Sequence, residues 1–538
     1  MEPIAKSRLL NRHGSFDKLF DDSQTQLRDI VDRLQISADP NDPNQKKIAD
    51  LYSSFMDEPR LEDLGQQPLG EEFARVDAVK DKKDIAALIA HFNVIGVSAP
   101  YSASVHQDAK DPARYVYDLG QDGLGMPDRD YYLLNDDKMK QARTRYGRHV
   151  EKMMTLAGDE NARKDAGQIV ALETQIARRQ WTKIANRDPV KAYNKVEFAQ
   201  LVTIAPGFDW PGYLAAVRVY GKTDYLVVSQ PSYITGFNQL LQNVPLAVWK
   251  AYFRWHLLSA FAPYLNQSFV AEHFAFYGTV LRGIPRNRPR WKRGLALIED
   301  CIGEGLGKLY VAKYFLPESK ARMDQLVQNM LAAYKSDIES LDWMSPETKR
   351  MAQAKLAKFT AKIDYPKNWR DYGKLQITDG DLIANVIRGQ SFEFECNVEK
   401  LGNPVDRDEW GMTPQTSNAY YNPELNEIVF PAAILQPPFF NPKADDAVNY
   451  GGIGGVIGHE ISHGFDYQGS QYDGDGMLLS APGWFTPADL QKYNAKTQSL
   501  VDQYSAYEPV RGYHVNGKLT LGENIADNAG IAVAFKAC

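Results

Sequence analysis

The stretch Gly458-His459-Glu460-Ile461-Ser462-His463-Gly464-Phe465-Asp466 constrains this chain more than any other. Apolar residues precede it at helical spacing (Ile453, Val456, Ile457), so the run reads as a helix. Positions i and i+4 of an α-helix share a face about 5–6 Å apart. Two imidazoles so placed can both meet one Zn²⁺ at roughly 2.0–2.1 Å. Glu460 follows the first histidine directly and can reach a water on the metal without being a ligand. The competing reading is a surface helix carrying two histidines by coincidence. With nine His in 538 residues that coincidence is rare, and the pattern favours a zinc peptidase.

Two histidines leave a catalytic zinc one protein ligand short, since such sites use three plus an open position for water. Glu523, in Gly522-Glu523-Asn524-Ile525-Ala526-Asp527 at an expected helix start, is the candidate third ligand. Asp527 lies one turn further on the same face, placed to accept the second ring N–H of a zinc histidine and set its tautomer. The plainer reading of both acids is first-turn carboxylates complementing the helix dipole. Beside His459 and His463 the ligand reading gains. Glu460 would then act as general base on the attacking water and pass a proton to the leaving amine. The metal would polarise the scissile carbonyl. This is amide hydrolysis by direct water attack, with no acyl-enzyme.

A chain of 538 residues exceeds one core and should form two or more domains. Its 62 basic and 68 acidic residues, net −6, advertise no nucleic-acid or anionic-membrane surface. Cys301, Cys396 and Cys538 form no C-x-x-C pair, which argues against a cysteine zinc site or a disulfide framework. No apolar run of about 18 residues predicts a membrane span. The start, Met1 to Arg8, has no apolar core of a secretory signal, so taken alone it reads as cytosolic. From Gly14 to about Lys362 the spacing predicts mostly helix: Phe16–Leu34, Gln45–Met56, Phe73–Phe92, Asp137–Ala157, Asn161–Trp181 and Ala321–Leu341. Ser345 and Pro346 mark an N-cap and first helical position. Asp118–Asp130 reads as irregular.

Beyond about Tyr365 the character changes. Asn418–Tyr421 and Glu427–Phe430 read as short strands around a turn. The first could offer an edge to an extended peptide, or be an ordinary hairpin strand. Asn516-Gly517 within Tyr513–Leu521 predicts a second hairpin. Asp473-Gly474-Asp475-Gly476 lacks the ligand spacing of an EF-hand and reads as a turn.

Together these stretches resemble the neprilysin-like (M13) zinc metallopeptidases, and within them the bacterial oligopeptidase (PepO) type. Asn418-Ala419-Tyr420-Tyr421, Ile428 through Phe440, Gly451-Gly452-Ile453-Gly454, the His459–Asp466 run and Gly522–Asp527 follow in family order. Upstream, Gly14-Ser15-Phe16-Asp17, Gly123 through Tyr132 and Trp410 through Thr416 extend the likeness. The resemblance implies a mainly α fold with small β hairpins, in which two helical domains enclose a central cavity. A capping domain would span residues 21–250; residues 1–20 and 251–538 would form the zincin-type catalytic domain. It implies one Zn²⁺ on His459, His463 and Glu523, with Glu460 catalytic and Asp527 orienting a histidine. Asn418 and Ala419 would bind the substrate backbone, and Ile434, Phe439 and Val456 would line a pocket for the apolar residue after the cleaved bond. Gly455 would leave that pocket roomier. Oligopeptide substrates, a monomer and a periplasmic or extracellular location are expected. Relatives normally continue beyond the third ligand into a part that carries a transition-state histidine and a substrate-binding arginine. No residue here stands in for either, so an impaired relative that binds peptide or zinc is the alternative expectation.

Overall fold

Where apolar residues recur every three to four positions the chain is helical, and their pooled faces build two cores. In the computed structural model, which describes residues 14–480 and 483–538, the principal helices of the first half are α1 (Ser15–Ile36), α2 (Pro43–Met56), α3 (Gly70–Asp77), α4 (Asp84–Val94), α5 (Asp137–Leu156), α6 (Ala162–Ala177), α7 (Pro231–Asn243) and α8 (Leu246–Phe261). They are followed by α9 (Arg290–Tyr314), α10 (Pro317–Ser340), α11 (Pro346–Leu356), α12 (Leu382–Glu399), α13 (Gly455–His463), α14 (Pro487–Ser505) and α15 (Leu521–Ala537). Ser345 caps α11 by accepting the Thr348 N–H, with Pro346 at its first position, as the sequence predicts.

Three expectations need correction. Phe73–Phe92 is not one helix: the Asp84 carboxylate accepts the N–H groups of Lys80 (2.8 Å) and Asp81 (3.0 Å), ending α3 and starting α4. A long hairpin, β1 (Tyr101–Asp108) with β2 (Asp111–Gln121), interrupts the region expected to be helical and takes the first residues of the Asp118–Asp130 segment. Around Asn516-Gly517 no strand pair forms; Asn516 instead accepts the Leu519 N–H in a turn that leads into α15.

Two small sheets sit among the helices. The first has the order β1-β2-β4-β3, with β3 (Lys195–Glu197) antiparallel to β4 (Tyr225–Val228) and β4 parallel to β2. The second has the order β5-β7-β6: β5 (Thr360–Asp364) runs parallel to β7 (Glu427–Pro431), and β6 (Tyr420–Asn422) antiparallel to it. One core, including Phe92, Tyr146, Trp249, Trp255, Ile298 and Val386, gathers the helices around the first sheet. The other, including Met330, Ile363, Phe430, Ile457, Ile461 and Val533, joins the second sheet to α10, α13 and α15. Between them lies a cavity of about 420 Å³, bounded by Val105, His106 and Tyr115 on one side and Tyr420, Asn422 and Glu427 on the other. Strand side chains alternate between faces. The cavity therefore lies on the sheet face opposite Ile428 and Phe430, which pack with α13 in the second core. Among the described residues no helix is long and apolar enough to cross a membrane.

Candidate metal centre

The site begins with two helices brought unusually close. A Cβ on Gly458 in α13 would lie 2.5 Å from the Gly530 carbonyl oxygen, and one on Gly530 in α15 would lie 2.5 Å from the His459 nitrogen. Only glycine at both positions allows this approach. It sets the first turns of α15, with Glu523 and Asp527, beside the histidine face of α13.

There the Nε2 atoms of His459 and His463 stand 3.0 Å apart. Glu523 Oε2 is 3.5 Å from the first and 3.7 Å from the second. Each Nδ1 is already engaged: His459 with Asp527 Oδ1 at 2.9 Å, His463 with Asp466 Oδ2 at 2.9 Å. A carboxylate only accepts, so each Nδ1 carries a proton and, in the neutral ring, each Nε2 presents a lone pair. Two lone pairs and a carboxylate oxygen converging on one point repel unless a cation lies among them. Two nitrogens on a tetrahedral Zn²⁺ at about 2.05 Å each stand roughly 3.3 Å apart, so the spacing fits the ion. These three residues are the one group of metal-competent ligands found among the described residues.

Without a metal the same carboxylates hold protons on the rings. Burial pulls His459 down, but Glu523, Glu460 and Asp527 outweigh it and raise it to about 9. His463 is raised against burial mainly by Asp466. Glu523 is lowered, first by its hydrogen bond with His459, and Arg187 contributes. Glu460 is 5% exposed, and burial raises its pKa although both histidines and the Tyr421 amide pull it down. It is outside the ligand triad and follows the first histidine directly on α13.

All five expected centre residues, His459, His463, Glu523, Glu460 and Asp527, are thus brought together. Three further contributors went unread in the sequence. Asp466 lies three residues past His463, where the chain turns back, and its second oxygen accepts the N–H groups of Gln468 (2.8 Å) and Gly469 (2.7 Å). Its spacing was the available signal. Arg187 arrives from a distant segment, donates to the Leu519 carbonyl and bonds the Tyr467 hydroxyl, while Gln468 Nε2 donates to the Arg187 carbonyl at 2.9 Å. The Gly458–Gly530 contact gave no local signal.

Of the expected substrate residues, Asn418 is exposed just ahead of β6, and Ala419 beside it is buried in the second core. Ile434 is wholly buried in the turn after β7. Phe439 is buried with its ring 4.3 Å from that of Phe16, and its carbonyl accepts the Ile453 N–H at 2.8 Å. Val456 is half-buried against the same core, and the space beside Gly455 is open.

Comparison with known proteins agrees with this geometry. Two sequence profiles of peptidase family M13 match, an N-terminal one over residues 3–366 and a second over residues 418–538. Mouse endothelin-converting enzyme 1 is 32% identical over 553 residues, covering 98% of this chain and 70% of the relative. An endothelin-converting enzyme homolog of Locusta migratoria is 30% identical, covering 97% and 75%. Among solved structures, the Mycobacterium tuberculosis zinc metalloprotease Zmp1 in complex with an inhibitor superposes with a TM-score of 0.93 at 44% identity, over 99% of this chain and 82% of that one. PepO from Lactobacillus rhamnosis superposes at 0.87 with 26% identity, over 97% and 82%.

Proposed function

The chain belongs to peptidase family M13 and is a metallopeptidase, and from that premise we propose a zinc-dependent endopeptidase that hydrolyses oligopeptides on the amino side of apolar residues. One observation carries the reading: two Nε2 atoms, on rings whose Nδ1 atoms are each engaged by a carboxylate, converge with Glu523 on a single point. Bound there, zinc supplies Lewis acidity toward a water and the scissile carbonyl.

The remaining steps fall to the side chains. Glu460 takes the proton of the attacking water on its carboxylate and returns one to the leaving amine; a pKa raised by burial suits a group that must do both. Asp527 and Asp466 hold the two rings in the tautomer that keeps Nε2 free. Asn418 and Ala419 bind the substrate main chain by extending β6, whose outer edge has no partner strand among the described residues. Phe439 and Val456 receive the apolar side chain after the cleaved bond, with Ile434 backing them and Gly455 leaving room. The helical unit over residues 21–250 caps the catalytic part, so that peptides enter rather than folded proteins. Relatives of this kind point to a periplasmic or extracellular setting.

The test is cleavage of short peptides carrying Leu or Phe after the expected bond, by the chain reconstituted with one equivalent of zinc. Chelation should abolish cleavage. Glu460→Gln should lower kcat by about 10²–10⁴ while zinc stays bound. Cleavage that survives both changes overturns the reading.

A further inference from the structure

Lys355, on α11, is buried to within 2% of full exclusion, and its Nζ takes carbonyls rather than carboxylates as partners: Gly469 at 2.6 Å and Tyr472 at 2.9 Å. The Tyr421 ring lies 5.7 Å from the ammonium. Burial pulls this lysine down to about 7, against the attraction of Asp466 and Asp473. A charge kept out of water costs several kcal/mol unless its surroundings use it, and an apolar side chain of the same length would be the cheaper filling.

What the ammonium holds is the turn behind the metal centre. Gly469, whose carbonyl it grips, donates its own N–H to Asp466 Oδ1 at 2.7 Å. Asp466 Oδ2 in turn accepts from His463 Nδ1 at 2.9 Å. The turn is pressed against the end of α13 so closely that a Cβ on Gly469 would lie 1.9 Å from the His463 carbonyl oxygen. An unbroken path of hydrogen bonds therefore runs from Lys355 through Gly469 and Asp466 to the ring of His463.

We propose that Lys355 is a positioning residue for the metal centre: it locks the Gly469–Tyr472 turn, and through Asp466 it fixes the orientation of His463. The proposal rests on the reading of His463 as a zinc ligand. Its effect is on metal affinity, because a ring free to rotate presents Nε2 to the ion only part of the time.

The full metal-free chain is titrated with Zn²⁺ against a chromogenic chelator, with circular dichroism confirming the fold of each variant. Lys355→Met and Asp466→Asn should each weaken zinc binding by about 10–100-fold, the usual cost of losing a group that orients a metal ligand. Since the lysine acts through the aspartate, the double variant should be no weaker than the worse single variant by more than about threefold. Zinc affinity of Lys355→Met equal to that of the parent chain, or losses that multiply in the double variant, overturns the proposal. Should Lys355→Met not fold, Lys355→Gln, which keeps one donor, is read by the same two criteria. His463→Ala separates the two layers of inference. If it leaves zinc affinity unchanged, the metal-centre reading falls and the proposal with it. If it abolishes binding while the lysine variants do not weaken it, only the role of Lys355 falls.

Discussion

As a proposed zinc ligand, His459 has two competing cations to serve, a proton and a metal. In the metal-free chain Glu523, Glu460 and Asp527 hold its imidazolium to about 9, above the unfolded value near 6.5. A group whose pKa rises on folding contributes stability below the unfolded value, and loses it as pH climbs through the folded one. The protonated ring thus stabilises the metal-free fold below about pH 6.5 and fades toward pH 9. Zinc needs the neutral ring, so binding must expel that proton. Zinc affinity should rise by up to about tenfold per pH unit between 6 and 9 and then level off. Calorimetric titration in buffers of different ionisation enthalpy should show a proton released at pH 7. A flat pH profile would mean the rings are already neutral in the free chain. At this scale much of the centre was legible. His459, His463, Glu460, Glu523 and Asp527 betray themselves by i,i+1 and i,i+4 spacing, a purely local code. Asp466 was within reach of the same code. Lys355 was not: it meets Gly469 across more than a hundred residues of chain, and nothing near it in sequence marks a buried ammonium.

The helices that carry these residues are held together by a contact between backbones. Because a Cβ at Gly530 would sit 2.5 Å from the His459 nitrogen, Gly530→Ala must push α15 away from α13 and carry Glu523 with it. Overpacking of this kind costs about 1–3 kcal/mol. The larger consequence should be for the ion, with zinc affinity falling at least about tenfold, as when a ligand's support is lost. Gly455→Ala, on α13 but facing open space, is the control and should bind zinc like the parent chain. Equal affinities for all three would show that the helix approach does not set the ligand geometry. Element by element, the sequence was readable where one face was apolar and the other polar, as in α1, α5 and α10. It was opaque at the first sheet. Tyr115, Val116 and Tyr117 of β2 are all buried, so the alternation that announces a strand is erased. The partner that completes the sheet, β4, joins β2 in parallel from about a hundred residues away. The Asn516-Gly517 signal misled for the converse reason. Gly517 is wedged against Val501 and Ser505 of α14, and that packing decides the conformation.

For the whole molecule, the presence of two cores sets how the metal should act on stability. The proposed zinc ligands come from α13 and α15, both of which contribute to the second core, while the first core is built from α1 to α9, α12 and the first sheet. At the seam between them Gln26 accepts from the Tyr310 hydroxyl (3.0 Å) and donates to Gln436 (3.0 Å). A ligand that binds only the folded form stabilises it by mass action, by about 2.7 kcal/mol at a concentration a hundred times its dissociation constant. That gain enters through the second core. Differential scanning calorimetry of the metal-free chain should therefore resolve two transitions, and adding zinc should move one of them up by about 5–11 °C while the other stays in place. The moving transition should lose its shift in His463→Ala. A single transition that moves as a whole would mean the two cores unfold together, and that the seam at Gln26 and the cavity walls bind them more tightly than their separate packing suggests.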